Sequence, residues 1–225
     1  MATIADNLQA VRARIARAAQ AAGRDPSAVT LLAVSKTHSV ARIAQAQAAG
    51  QRAFGENYVQ DALPKIDALP GLEWHLIGPL QSNKARIAAQ RFDWVQTVDR
   101  VRIAARLSEN RPADRPVLNV LLQVNISAEA TKSGVAPAEV AALAKAVAAL
   151  PRLRLRGLMA IPRSGALDEL RKLRILFDEL KGAFALDTLS MGMTDDFEAA
   201  IAEGSTMVRV GTAIFGAREK QESVA

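Results

Sequence analysis

Apolar residues recur at helical spacing from the start of the chain, at Ile4, Leu8, Val11 and Ile15, and the pattern stops near Gly23. This predicts an amphipathic helix over 1–23. Beyond it, short β-branched runs alternate with longer amphipathic segments. The runs cover 29–36, 51–56, 72–78, 94–99, 116–125, 153–162, 188–192 and 207–216. Two of the intervening helices are especially clear. One carries Val140, Leu143, Val147 and Leu150; the other carries Leu167, Leu170, Leu173, Phe177, Leu180 and Phe184. Pro137 opens the first of these, where a missing N–H costs nothing.

Strand and helix in strict alternation indicate a parallel sheet covered by helices. Eight such strands predict a single α/β domain, a (β/α)8 TIM barrel over 29–216 with 1–23 as an extra N-terminal helix. At 225 residues it is compact for a fold that usually takes about 250. The competing architecture is an open doubly wound sheet. Neither GxGxxG nor GxxxxGK[ST] follows the first strand, which removes the usual reason for that fold. No Gly/Ser linker, low-complexity tract or short repeat divides the chain.

Composition then narrows the chemistry. There is no cysteine, so no disulfide framework, thiol nucleophile or thiolate-bound metal is expected. Two histidines, His38 and His75, are too few for a histidine-based metal site. The longest stretch without charge, 116–128, falls short of the ~20 apolar residues of a membrane span. Asp6, Arg12, Arg14 and Arg17 interrupt any signal-peptide core, so the expectation is a cytoplasmic protein. The net charge is +6, yet the 21 arginines and 8 lysines are spread along the chain without a basic tail. That pattern fits solvated helix faces and a field suited to an anionic small ligand better than it fits nucleic-acid binding.

In a barrel of this kind the active site gathers at the carboxyl ends of the strands. Lys36 follows the apolar run Leu31-Leu32-Ala33-Val34, which directs it to the barrel mouth. Two readings are open for it. Burial would favour a neutral amine able to form a Schiff base with a carbonyl; alternatively the ammonium pairs with a carboxylate such as Glu56. Lys132, in the loop after the fifth strand, is also placed to face the site. Ser190-Met191-Gly192 and Gly211-Thr212 read as a phosphate cup, since glycines admit an anion to backbone N–H groups and the hydroxyls donate further bonds. The bland reading is a pair of tight turns. Arg209 shares a strand face with Gly211 and either salt-bridges structurally or meets the ligand. His75 is read as core or rim packing, and Asp195 and Asp196 as charges at a helix N-terminus.

Taken together, the motifs carry a family resemblance. They are Ala33-Val34-Ser35-Lys36, Phe54-Gly55-Glu56-Asn57-Tyr58, Trp74-His75-Leu76-Ile77-Gly78, Gln123-Val124-Asn125-Ile126-Ser127, Leu189-Ser190-Met191-Gly192-Met193 and Met207-Val208-Arg209-Val210-Gly211-Thr212. From about Leu31 to Gly216 the chain resembles the pyridoxal 5′-phosphate homeostasis protein family, relatives of the N-terminal barrel of alanine racemase. The resemblance implies that Lys36 holds pyridoxal 5′-phosphate (PLP) as a Schiff base. It implies that Ser190, Gly211 and Thr212 bind the phosphate, with Met191 and Gly192 completing the cup through backbone contacts. Arg209 would face the pyridine nitrogen, where a donor-only guanidinium weakens the ring as an electron sink, and Asn57 would lie beside the ring.

The implied role is a non-catalytic carrier that holds PLP within vitamin B6 homeostasis and passes it on, with PLP-dependent apoenzymes as transient partners. The alternative is a racemase-like PLP enzyme. The racemase needs a second domain that supplies an opposing tyrosine, whereas this sequence has one tyrosine, Tyr58, after the second strand. A monomer is expected, because racemase-like dimer contacts would need that domain. A cofactor-free Schiff-base aldolase is the remaining enzyme class.

Overall fold

In the computed structural model, which describes residues 2–129, 131–163 and 165–216, eight parallel strands close into a barrel in sequence order. They are β1 (Thr30–Val34), β2 (Ala53–Glu56), β3 (Glu73–Leu76), β4 (Trp94–Val98), β5 (Leu118–Gln123), β6 (Leu153–Met159), β7 (Thr188–Ser190) and β8 (Met207–Val210). Closure comes from β8 pairing with β1, Thr30 opposite Met207 through Ala33 opposite Val210. The helices are α1 (Ile4–Ala21), α2 (Val40–Ala48), α3 (Val59–Ala68), α4 (Ala85–Arg91), α5 (Val101–Asn110), α6 (Val140–Ala148), α7 (Leu167–Phe184), α8 (Phe197–Ala202) and α9 (Thr212–Phe215).

The expected barrel and its extra N-terminal helix are both present. A capping box starts α1: the Thr3 hydroxyl accepts from the Asp6 N–H at 3.1 Å, and the Asp6 carboxylate accepts from the Thr3 N–H at 2.9 Å. Its buried face is Ile4, Leu8, Val11, Ile15 and Ala19, packed against α2, α8 and α9 across the β8–β1 seam.

Strand residues alternate between two environments, as a closed sheet requires. Outward-facing Ala33, Phe54, Trp74, Leu76, Val95, Val120, Leu122, Val208 and Val210 join the helices in one large apolar cluster. Inward-facing Leu32, Val34, Ala53, Ile77 and Met207 form a second cluster, and Trp94, Leu121 and Met159 a third.

The strands are shorter than the apolar runs that announce them, because most of the runs continue past the last ladder bond into the loop that shapes the mouth. The largest correction falls on 207–216, which is not one strand. After Val210 the chain approaches β1 so closely that a Cβ on Gly211 would sit 3.2 Å from the Val34 carbonyl. It then turns into α9, where the Ile214 and Phe215 N–H groups donate to the Gly211 carbonyl at 2.9 Å. Lys36 likewise lies two residues beyond β1, in a turn closed by the His38 N–H on the Ser35 carbonyl at 3.1 Å. Thr37 takes φ +67° in that turn, a strained conformation for a β-branched residue.

Candidate functional site

A cavity of about 450 Å³ opens at the carboxyl ends of the strands, within the size range of small-ligand sites. Lys36, Asn57, Arg209, Gly211 and Thr212 all line it, so five of the eight expected site residues converge from β1, β2 and β8. The wall also includes Gln123, Asn125 and Lys132, together with Ile77, Gly78, Ile161, Met193 and Asp195.

The turn that carries Lys36 is braced from outside the barrel. Glu56 is the last residue of β2 and shares the outward face with Phe54. It receives Lys65 Nζ from α3 at 2.8 Å and the Ser35 hydroxyl. Lys65 also donates to the Ser35 carbonyl at 3.0 Å. Burial pushes the Glu56 carboxyl up, against the opposing pull of Lys65 and the Ser35 hydroxyl. The carboxylate weighed as a partner for Lys36 thus serves the outer layer.

Arg209 is buried at the floor of the cavity. One Nη donates to the Ser190 hydroxyl at 2.7 Å and the other to the Ala160 carbonyl at 2.8 Å. Among the described residues no carboxylate pairs with it directly. Burial lowers its pKa to about 10, so it stays charged at neutral pH. Two of its five N–H bonds are committed below, and the remainder can serve a ligand.

Three expected residues are not on the wall. Ser190 lies beneath Arg209, its hydroxyl donating to Gln96 Oε1 at 2.7 Å while accepting from the guanidinium. Met191 is buried among apolar neighbours, and its N–H is committed to the Met207 carbonyl at 3.2 Å. Gly192, at φ +92°, packs where a Cβ would meet Ala200 at 2.6 Å, and its carbonyl accepts from the Arg209 N–H. These three support the Arg209 corner from below, and the face open to an anion is at Gly211 and Thr212. The first N–H groups of α9 have no acceptor within their own turn.

Asp196 stands at the N-cap position of α8, but its carboxylate makes no bond to the helix and accepts instead from the Met193 N–H at 2.6 Å, while Asp195 lies on the cavity wall. Gln123 and Asn125 were not singled out as site residues. Both line the cavity, and Gln123 Oε1 and Asn125 Oδ1 are buried acceptors without a partner among the described residues. The available signal was a polar residue on the inward phase of an apolar strand, Leu121 and Gln123 sharing one face.

The loop after β5 folds back over the site. Val124 bridges to Val135, and the Asn125 side-chain amide donates to the Glu129 and Lys132 carbonyls at 2.8 and 3.3 Å. Ser127 joins this loop to Glu169 of α7 at 2.7 Å. Burial raises the Glu169 carboxyl, but bonds from Ser127 and from the Arg163 N–H and guanidinium outweigh it and hold the group below its ordinary range.

This wall fits PLP. It combines a lysine amine, a buried donor-only cation, buried acceptors without a partner among the described residues and the Gly211–Thr212 turn around a space suited to one substituted ring. No cluster of three or more His, Cys, Asp or Glu able to hold a metal occurs among the described residues, and none of their helices is long and apolar enough to cross a membrane.

Residues 7–219 match the family described as alanine racemase, N-terminal domain. The chain is 59% identical to the pyridoxal phosphate homeostasis protein of Pseudomonas aeruginosa, over 97% of each chain. It superposes on PipY of Synechococcus elongatus with PLP bound, at 37% identity and a TM-score of 0.81, covering 95% of this chain and all of that one. The alanine racemase of Corynebacterium glutamicum, at 19% identity and a TM-score of 0.66, shares the fold over 97% of this chain and 63% of its own. The chain therefore belongs to the pyridoxal phosphate homeostasis proteins, within the alanine racemase N-terminal domain family.

Proposed function

We propose that this protein binds PLP in the cavity at the carboxyl ends of its strands, holds it covalently through Lys36 Nζ, and passes it on to PLP-dependent apoenzymes without strong catalysis of its own. The observation that carries this reading is the convergence of Lys36, Asn57, Arg209, Gly211 and Thr212 on one cavity. When bound, PLP supplies an aldehyde that condenses with primary amines and a ring that can accept negative charge. Lys36 provides the amine. Arg209, charged and unable to accept a proton, would face the ring nitrogen and favour its unprotonated form, which disfavours carbanion chemistry. Thr212 and the Gly211–Thr212 turn would hold the phosphate, Asn57 would lie beside the ring, and Gln123 and Asn125 complete the wall.

A racemase-like activity is the second reading, and it has a specific feature in its favour. Proton transfer on both faces of a substrate needs a second acid–base group, and Lys132 lines the same cavity. Tyr58, the residue nearest in kind to the racemase tyrosine, is 59% exposed and off the wall. Two assays on the loaded protein separate the readings. The carrier account expects activity to appear in an added apoenzyme, with no turnover across a panel of L- and D-amino acids. Steady racemisation or decarboxylation that disappears in Lys36→Ala would replace the carrier with an enzyme.

A further inference from the structure

One continuous line of hydrogen-bonded polar side chains runs through the barrel interior. From the lower mouth to the cavity floor run Glu73, His75, Gln96, Ser190 and Arg209, contributed by β3, β3, β4, β7 and β8. Each touches the next: Glu73 Oε1 to His75 Nε2 at 2.8 Å, His75 Nδ1 to Gln96 Nε2 at 2.9 Å, Gln96 Oε1 to Ser190 Oγ at 2.7 Å, and Ser190 Oγ to Arg209 Nη1 at 2.7 Å. His75, Gln96 and Ser190 are fully buried, and Arg209 nearly so.

The two ends determine how the chain runs. Arg209 can only donate and an ionised Glu73 can only accept. Starting from Arg209, Ser190 accepts and passes its own proton to Gln96 Oε1. That orients the Gln96 amide so that its NH₂ faces His75 Nδ1, and His75 must carry its proton on Nε2, directed at Glu73. Every link has one donor and one acceptor. Burial pushes His75 toward the neutral form, and its bond holds the Glu73 carboxyl below the ordinary range, consistent with both assignments. Bonds aligned in one sense polarise one another in a low-dielectric interior. The buried guanidinium, which has no direct carboxylate partner among the described residues, is thereby coupled to a carboxylate at the opposite mouth.

We propose that His75 and Gln96 are positioning residues: through Ser190 they hold the Arg209 guanidinium in place at the cavity floor, so that a ligand meets a preorganised cation. The functional consequence rests on the reading of the cavity as a PLP site; the chain itself does not.

Two substitutions at one position separate positioning from packing. His75 also stacks on Trp94, with ring centroids 5.0 Å apart and an interplanar angle of 7°. His75→Phe keeps a ring on Trp94 but removes both nitrogen partners. His75→Asn loses the ring but keeps an oxygen near the Nδ1 position, so Gln96 retains an acceptor. Gln96→Leu breaks the chain at near-constant volume. Positioning predicts about tenfold weaker PLP binding in His75→Phe and Gln96→Leu, the scale of one lost bond to a charged group's support, with His75→Asn within about threefold of wild type. The reverse order, with Asn the damaging substitution, would overturn the proposal in favour of packing.

Nitrogen NMR on the protein without PLP gives an independent reading that needs no variant to fold. The chain predicts His75 protonated at Nε2 and not at Nδ1, with slowly exchanging Arg209 guanidinium protons. A proton on Nδ1 contradicts the chain even if PLP binds. Failure of the wild type to take up PLP removes the proposed function and leaves the chain to be decided by the NMR result alone.

Discussion

Lys65→Met is expected to lower the unfolding free energy by about 3–5 kcal/mol at neutral pH, as measured by denaturant titration. The reason is the Glu56 carboxylate it would abandon. Glu56 and Lys65 are both buried and meet at 2.8 Å, and removing one partner leaves an uncompensated charge in the interior, which costs far more than the intact pair contributes. The pH dependence has a definite sign. The carboxyl of Glu56 is already pushed up by burial, and loss of Lys65 removes the interaction that restrains it. A group whose folded-state pKa lies above its unfolded value destabilises the fold most where it is ionised in both states. The deficit of the variant is therefore fully present above the raised folded-state value and shrinks as the pH falls through it toward the ordinary one. A deficit below about 1 kcal/mol, or one that grows on acidification, would show that Glu56 is not held as an ionised partner of Lys65.

Gly78→Ala is expected to damage the site directly. A Cβ on Gly78 would lie 2.1 Å from the Asn57 carbonyl oxygen and 2.7 Å from the Asn57 Cα. The obstacle is backbone, so the loop after β2 must move rather than a side chain swing aside. Overpacking of this kind costs about 1–3 kcal/mol, or a fall of several degrees in Tm for a domain of this size. Both residues line the cavity, so PLP affinity should fall at least about tenfold in the same variant. Unchanged affinity with lowered Tm would remove Asn57 from the site.

Most of the fold was legible because a closed parallel barrel writes a strong periodic signal. Outward positions such as Phe54, Trp74, Val120 and Val208 must be apolar to meet the helices, so each strand appears as an apolar run in the sequence. The ends of strands were less legible. An apolar residue just past the ladder, such as Ile214 beyond β8, is buried by a helical turn as readily as by a strand. Nothing in its identity tells the two apart.

The site divides along similar lines. Lys36, Arg209, Gly211 and Thr212 were legible as candidates because they stand at strand ends, where a barrel opens its mouth, although each had a structural reading that the sequence left open. Ser190 was recognisable as important, but not in its position beneath Arg209, because that depends on β7 and β8 standing side by side. Glu56 looked available to Lys36 from sequence proximity to Asn57. The two-residue period of β2 places it on the outer face, where α3 brings Lys65. The polar line through the barrel was hidden for the same reason: His75, Gln96 and Ser190 are far apart in sequence and meet only when the sheet closes.

The central claim, that this cavity captures PLP through Lys36, is tested most directly by borohydride reduction of PLP-treated wild type and Lys36→Ala, followed by mass mapping of the adduct. The account predicts a visible absorption band in the wild type that is lost on reduction. It also predicts a single pyridoxyl group on Lys36, and no comparable band or adduct in the variant. Equal labelling of the variant, with the adduct on Lys132 or on surface lysines, or a wild type that takes up no PLP, would contradict it.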